Sequence, residues 1–398
     1  MSVELERAHK LENFLTQDPS NTHLLHDIAT TYQAAGEYGK SIEYFERLRD
    51  LTGDDPGLLN SLGALYLSLD RGDEALNALQ SATALAPNES NLLFNLGYAH
   101  FSLEQTETAR DIFKKLTDQH PDDPQYPYYL ALTHDELGDT EASINYLDKV
   151  LSLDENHLGG QFFSALNDFQ SGNLNKAQER TERILKRHPN NIDTLHLKAE
   201  IAILDFDPKL ALTTLRKAES IEPNQPRTHL LLGQALLILQ RIKQARVAFE
   251  RATELDKTSA YAYIGLGWTA LLQKDYTLAE EAFSQATLND PGEADGYVGM
   301  AALALLVESP NEAKQQLRKA LQINPENVIA LLIQESIDSA NNGDQITDAT
   351  IRELLTNRRI SPFGWSMKDI KTKFEASPAG HTVINKQLRL ARMKKLHR

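Results

Sequence analysis

A strict period of 34 residues constrains this chain more than any other feature of its sequence. Counted from Thr22, nine repeats follow one another without insertion or deletion and end at Asn327, which covers about three-quarters of the chain. A fixed period of this length is typical of proteins that stack one small motif on copies of itself, so that each copy contacts mainly its neighbours. The sequence therefore predicts one array of repeats rather than two or three separate globular domains.

Two positions of the repeat carry only small side chains. Where two antiparallel helices cross near their midpoints, only a small side chain lets the backbones approach. We therefore expect each repeat to contain two antiparallel helices that cross at these positions. The residues are, at position 8, Ala29, Gly63, Gly97, Ala131, Ala165, Ala199, Gly233, Gly267 and Ala301, and, at position 20, Ser41, Ala75, Ala109, Ser143, Ala177, Ala211, Ala245, Ala279 and Ala313.

Larger apolar residues and prolines complete the pattern. Position 24 is Phe or Leu in eight repeats, and Thr181 is the exception in the fifth. Position 32 is Pro in six repeats, where the missing N–H ends a helix and turns the chain. This order of residues resembles the tetratricopeptide repeat, whose signature places Leu-Gly, Tyr, Ala, Phe, Ala and Pro at the same offsets. The resemblance covers residues 22–327. It implies an all-α fold, a solenoid of helix–turn–helix repeats in a right-handed superhelix with a concave groove lined by the first helices.

The fifth and sixth repeats depart from the pattern. Gln161 and Thr181 replace apolar anchors, Lys198 stands where Leu is usual, and residues 205–208 replace a Gly-containing turn. We expect local irregularity or a bend there. The predicted segments are 1–21 with a capping helix at 3–16, 22–327 with the nine repeats, 328–356 with a degenerate tenth helix pair (328–340 and 349–357), and 357–398 with a basic helical module.

The resemblance implies that positions 2, 5, 9 and 12 of each repeat face the groove. Two bands of large apolar residues fall on these positions, and the repeats beside them are more polar, with Asn60 in the second and His196 and Glu200 in the sixth. Each ring could instead pack into the core, but together they suggest a docking surface for an amphipathic helix or an extended apolar segment. The bands are Phe94, Tyr98, Phe101, Tyr128, Leu132, Phe162, Leu166 and Phe169, and then Tyr261, Ile264, Trp268 and Leu271.

Catalytic and metal-binding patterns are weak. His23 and His26 could share one helical face with Asp27, but two ligands without a third seldom hold a metal. Gly265 and Gly267 fall inside a repeat with no strand before them, which argues against a dinucleotide loop. The chain has no Cys, and only 71 residues follow the array. We therefore expect no enzyme, no metal and no cofactor, and the family's carboxylate clamp for acidic peptides is not evident.

Charge is distributed unevenly. The chain carries a formal net charge of −15, yet residues 357–398 contain eleven basic and two acidic residues. This basic end could be a closing helix against the acidic array, a nucleic-acid contact, or a membrane-surface helix, of which the last is disfavoured because its apolar residues form two stripes. The candidate basic residues of the last helix are Lys386, Arg389, Arg392, Lys394, Lys395 and Arg398.

The sequence thus predicts a non-enzymatic scaffold or adaptor that binds a segment of a partner protein in an aromatic groove. Two alternatives stay open. One is an assembly or secretion chaperone with the same architecture, and the other is a regulatory protein whose basic tail contacts nucleic acid. No run of residues is apolar and long enough to span a membrane, and the N-terminus lacks a secretory pattern, so a cytoplasmic location is the default expectation.

Overall fold

The computed structural model describes residues 2–205 and 207–340, and all regular secondary structure in this part of the chain is helical. Eighteen of its helices form nine consecutive pairs, α2/α3 to α18/α19, which confirms the all-α prediction of tandem helix pairs. Helix α1 precedes the pairs and α20 follows them. The helices are α1 (Val3–Leu15), α2 (Thr22–Ala34), α3 (Tyr38–Thr52), α4 (Pro56–Ser68), α5 (Gly72–Leu85), α6 (Ser90–Ser102), α7 (Thr106–Gln119), α8 (Gln125–Glu136), α9 (Thr140–Leu153), α10 (Leu158–Gln170), α11 (Leu174–Arg187), α12 (Ile192–Leu204), α13 (Pro208–Ile221), α14 (Pro226–Ile238), α15 (Ile242–Leu255), α16 (Ala260–Leu272), α17 (Tyr276–Asn289), α18 (Ala294–Leu306), α19 (Pro310–Ile323) and α20 (Val328–Ala340).

The described residues fall into two compact bodies, an N-terminal body of residues 2–161 and a C-terminal body of residues 162–340. The division lies within α10, in the fifth repeat, where the sequence departs from the pattern. The predicted second helix of the tenth pair and the basic module lie outside the described residues, so their boundaries stay predictions.

Small residues on the first helices allow large anchors of the second helices to pack closely. In the seventh repeat, a Cβ on Gly233 would lie 2.6 Å from Phe249 Cε1, and a Cβ on Gly265 of the next repeat would lie 2.3 Å from the same atom. Phe283 sits in the same way between Gly267 and Gly299. Each of these rings therefore joins its own repeat to the next one, and Gly265 and Gly267 serve packing.

The turn between the two helices of each repeat uses a left-handed residue. Position 15 has positive φ in all eight repeats where it is described, and five of these residues are not glycine, namely Asp70, Glu104, Gln240, Lys274 and Glu308. The N–H of the next residue then donates to a carbonyl five residues back, as from Glu37 to Tyr32 at 2.9 Å. This is the helix-ending Schellman bond. Asp207 makes the same bond to Ala202 at 2.8 Å, so this contact is kept in the unusual turn of the sixth repeat.

Basic residues at position 26 bind the preceding turn. Arg47 Nη2 donates to the carbonyl of Pro19, and Lys217 Nζ donates to the carbonyl of Pro189, each at 2.5 Å. Pro19 follows the C-terminus of α1, and Pro189 follows the C-terminus of the second helix α11, where the helix dipole favours a positive charge. These contacts join α3 to the turn after α1, and α13 to the turn after α11.

The unusual residues Thr181 and Lys198 are accommodated by a hydrogen bond and an ion pair, respectively. Thr181 is fully buried, and its Oγ1 donates to the carbonyl of Gln178 at 2.8 Å. Lys198 Nζ lies 3.9 Å from Glu182 Oε1. Polar side chains can occupy these sites because their buried groups find local partners.

Candidate partner-binding surface on the first helices

The predicted band residues of the N-terminal body are mostly enclosed. Tyr129 is the centre of their cluster: its ring centroid lies 5.0 Å from that of Phe94, 6.0 Å from that of Tyr98 and 5.3 Å from that of Phe113, the position 24 anchor. Less than a tenth of each of these side chains is then available to a partner. The buried band residues here are Phe94, Tyr98, Phe101, Tyr128 and Leu132, each between 5% and 8% exposed.

The band residues of the C-terminal body are enclosed to different degrees. Phe162 and Leu166 are buried, as are Leu271 and Ile264, whereas Phe169 and Tyr261 are half-buried. Trp268 is 1% exposed and packs edge-to-face on Phe283, with ring centroids 5.2 Å apart. Ile264 and Trp268 thus serve the core in this conformation. The first predicted band is divided between the two bodies, and the role of both bands in binding stays a prediction.

The polar residues predicted for the groove of the sixth repeat, His196 and Glu200, bind polar residues of the seventh repeat. Arg227 Nη2 lies 2.6 Å from Glu200 Oε1, and both side chains are about four-fifths buried. His196 Nε2 lies 2.7 Å from Thr228 Oγ1, within hydrogen-bond distance, and both residues are buried. These contacts join α12 to α14 and satisfy groups whose burial would otherwise be costly.

His23 and His26, considered as metal ligands from sequence, are both exposed on α2. His26 Nδ1 lies 3.9 Å from Asp27 Oδ1. Within the described ranges, no group of three or more His, Cys, Asp or Glu side chains is arranged to hold a metal ion. In the same ranges, no helix is both long enough and apolar enough to cross a membrane. The predicted basic residues of the last helix lie outside the described residues.

An asparagine pair joins two neighbouring first helices of the N-terminal body. Asn95 Nδ2, on α6, donates to Asn60 Oδ1, on α4, at 2.7 Å. Both residues are half-buried. This bond uses one N–H and one oxygen, so Asn60 Nδ2 and Asn95 Oδ1 have no further side-chain partner in the described part of the chain. The pair can thus offer a donor and an acceptor side by side, the two groups that an extended peptide backbone needs.

The sequence pattern identified only half of this pair. Asn60 occupies a predicted groove position, but Asn95 falls at position 6, which is not one of the predicted groove positions. The available signal was the spacing of 35 residues between two asparagines, one more than the period. That spacing places them on adjacent first helices, offset by one residue.

Sequence profiles match several parts of the chain. Residues 66–131, residues 128–157, and residues 26–90 with 230–294 match profiles described as tetratricopeptide repeat. Residues 170–252 match a profile described as anaphase-promoting complex, cyclosome, subunit 3. No curated protein matches the chain significantly.

Solved structures share the fold at low sequence identity. A tetratricopeptide repeat protein from Parabacteroides merdae superposes with a TM-score of 0.53 and 17% identity, over 62% of this chain and 98% of the other. The APC/C hetero-tetramer Cut9–Hcn1 gives a TM-score of 0.51 and 14% identity, over 98% of this chain and 83% of the other. At these identities the similarity shows the fold alone. Together, the repeated helix pairs and the profile matches show that the chain belongs to the tetratricopeptide repeat proteins, which are in general non-catalytic scaffolds for protein interaction.

Proposed function

We propose that this protein is a non-enzymatic adaptor whose N-terminal body binds an extended segment of a partner protein across α4 and α6. The asparagine pair, Asn60 and Asn95, carries this proposal. An extended segment has unpaired N–H and C=O groups, and burying them against a surface is costly unless each finds a partner. A donor and an acceptor side by side can hydrogen-bond the C=O and the N–H of the segment's backbone, whatever its side chains are.

Apolar contact comes from the neighbouring rings of the first band. Phe94 and Tyr98 lie on α6, as Asn95 does, and the 8% of each side chain that stays exposed supplies a small apolar surface beside the amide pair. Extended peptides are generally recognised through hydrogen bonds to their backbone, while alternate side chains make apolar contacts.

The charge of the N-terminal body limits the kind of segment that it attracts. Residues 1–161 contain 28 acidic and 10 basic residues, a net charge of −18. A field of this sign speeds the approach of a basic segment and repels an acidic one. We therefore infer that the partner segment is neutral or basic, with apolar side chains at alternate positions.

The test uses peptides selected from a random library on the full-length protein. We expect the double variant Asn60→Ala with Asn95→Ala to bind the selected peptides at least about 10-fold more weakly, because two backbone hydrogen bonds are lost. Asn145→Ala, at an exposed position of the second helix α9, is the matched control and should bind as the wild type does. Unchanged affinity in a double variant that keeps its helical circular dichroism would contradict the proposal.

The same selection separates the two alternatives. A chaperone for unfolded clients would use the same surface, but the selected peptides would then share no sequence pattern. A nucleic-acid contact would depend on basic side chains after residue 356, which lie outside the described residues, and no observation on the acidic N-terminal body favours it.

A further inference from the structure

A group of basic side chains lies at the C-terminal end of α11, in the C-terminal body. Lys186 and Arg187 follow Arg183 by three and four residues, so all three lie on one side of the end of this helix. Lys217, on α13, reaches the same place, because its Nζ donates to the carbonyl of Pro189, two residues beyond the end of α11. All four basic residues are exposed. We call Arg183, Lys186, Arg187 and Lys217 the α11 patch.

The repeat itself does not require these charges. At positions 29 and 30, the last two of the second helix, Lys186 and Arg187 are the only basic residues in the nine repeats. The helix dipole favours cations at this end, but the eight other repeats form their second helices without cations at these two positions. Position 26 is basic in several repeats, and Arg47 and Lys217 bind the preceding turn there. The side chain of Arg183 has no hydrogen bond or ion pair in the described part of the chain.

Acidic residues close to the patch in sequence do not neutralise it. Glu182 Oε1 lies 3.9 Å from Lys198 Nζ, and Glu219 Oε2 lies 2.7 Å from Arg216 Nη1, so each of these carboxylates has a cation of its own. Glu179 lies one helical turn before the patch and forms no ion pair among the described residues. The α11 patch thus carries four positive charges that no carboxylate of the described residues contacts, on a chain whose net charge is −15.

The spacing of the patch fits an extended acidic segment. Side chains two residues apart on such a segment lie about 6.6 Å apart. The Cβ atoms of residues four apart on a helix are separated by about 5 to 6 Å, a similar distance. Two carboxylates of one segment can therefore reach Arg183 and Arg187 together, and each guanidinium can donate two N–H groups to one carboxylate. Lys217 has three N–H donors and uses one on Pro189, which leaves two for a further acceptor.

Other occupants fit the patch less well. Duplex DNA carries one negative charge per about 1.7 Å of its axis, so it extends far beyond four cations and is repelled by the rest of an acidic protein. An anionic membrane surface is repelled in the same way. The chain's own residues 357–398, with eleven basic and two acidic residues, carry the same sign of charge as the patch. A short acidic segment places its charges only where the cations are.

We propose that the α11 patch is a second docking surface of this protein, and that it binds a short acidic segment of a partner protein. The surface proposed for the N-terminal body favours a neutral or basic segment, so the two surfaces select segments of opposite charge. The α11 patch lies on second helices of the C-terminal body and does not depend on the asparagine pair. The protein can therefore hold two different segments at once.

The test is the fluorescence anisotropy of a labelled hexaglutamate peptide, titrated with the full-length protein in 50 mM NaCl. We expect the double variant Arg183→Gln with Arg187→Gln to bind at least about 10-fold more weakly, because charge-assisted hydrogen bonds are lost. Lys243→Gln with Arg318→Gln, at exposed positions of α15 and α19, is the matched control. It removes the same charge from the same body and should bind as the wild type does. A hexaglutamine peptide should not bind to any of these proteins.

Further measurements separate the patch from the other occupants and from the peptide site of the N-terminal body. Lys217→Gln, which leaves α11 unchanged, should also weaken hexaglutamate binding, whereas Asn60→Ala with Asn95→Ala should not. A DNA duplex of 20 base pairs should displace the peptide less readily than unlabelled hexaglutamate does. Analytical ultracentrifugation should give one mass for the wild type and the Arg183/Arg187 variant. The proposal would be overturned by equal affinity in a correctly folded double variant, by preferential displacement with DNA, or by self-association that the double variant abolishes.

Discussion

At the scale of single residues, neighbouring repeats are joined by the position 24 side chains, the anchors. Each anchor packs against residues of two first helices, and its size is matched to theirs. Phe249 has Gly233 on its own repeat and Gly265 on the next, and neither site has room for a Cβ. For the anchor Leu215, the equivalent first-helix positions are Ala199 in its own repeat and Leu231 in the next. A smaller anchor is thus paired with larger residues than the glycines that accompany Phe249. The anchor of one repeat and the first-helix residues that it contacts are therefore matched in volume. A change in the volume of either side chain disturbs the packing of the other.

A first prediction concerns Gly265. Its change to Ala should lower the free energy of unfolding by about 1 to 3 kcal/mol, because the new methyl group overlaps the ring of Phe249 in a packed core. Chemical denaturation of the full-length protein, followed by circular dichroism, measures the effect. Gly39→Ala is the matched control: no atom lies within 4 Å of a Cβ placed there, near the start of α3, so this change should leave stability equal or slightly raised. Equal stability of Gly265→Ala and the wild type would contradict the close packing.

Packing of single residues also marks the limit of the sequence prediction. The period and the small residues at positions 8 and 20 predicted the helix pairs. The same close approach of two helices recurs in every repeat, so the same small residues recur in the sequence. The exposure of Trp268 was not predictable in the same way. Whether a ring at position 9 faces a groove or fills the core depends on the side chains of two neighbouring first helices, and these differ from repeat to repeat. Asn95 was missed for a related reason, because its role arises from one specific neighbour, Asn60.

At the scale of the helix pair, the turn at position 15 has the same left-handed conformation in all eight repeats where it is described. A residue with an L side chain in the left-handed region is disfavoured by about 1 to 2 kcal/mol, yet Gln240 and Glu308 adopt it with φ of 58° and 59°. The Schellman bond and the packing of the two helices must therefore fix this conformation. The sequence did not reveal it, because a glycine at this position is present in only part of the repeats.

A second prediction follows for this turn. Gln240→Gly should stabilise the C-terminal body by about 0.5 kcal/mol, since relief of backbone strain exceeds the added entropy of the unfolded chain. The reverse change at an equivalent turn, Gly172→Ala, should destabilise by about 1 kcal/mol. Denaturation midpoints of both variants give the comparison. The role of backbone strain at position 15 would have to be rejected if the two changes shifted stability in the same direction.

At the scale of the whole molecule, the two bodies differ in charge more than in size. Residues 1–161 carry a net charge of −18, whereas residues 162–340 carry −4, with 19 basic and 23 acidic residues. Self-repulsion of like charges destabilises a compact state and is screened by salt, with a Debye length of about 10 Å at 0.1 M. Salt should therefore stabilise the two bodies unequally.

A third prediction tests this difference. When NaCl is raised from 20 to 300 mM, amide exchange in the full-length protein should slow more within residues 2–161 than within residues 162–340. Sodium sulfate and sodium chloride at equal ionic strength, compared in parallel, separate screening from the general salting-out of apolar groups. Equal slowing in both bodies would mean that charge repulsion in the N-terminal body is not a significant cost.

The anchors that join successive repeats also decide how such a chain can change in length. Removal of residues 226–259 would keep every later helix in phase, because it takes out one full period. It would also bring Leu215 to the place beside Gly265 that Phe249 now fills, and a leucine facing a glycine there leaves an empty volume. The repeats of this protein are therefore equal in length but not exchangeable. A shortened or duplicated array would stay well packed only where the anchor on one side of the join suits the small or large residue on the other.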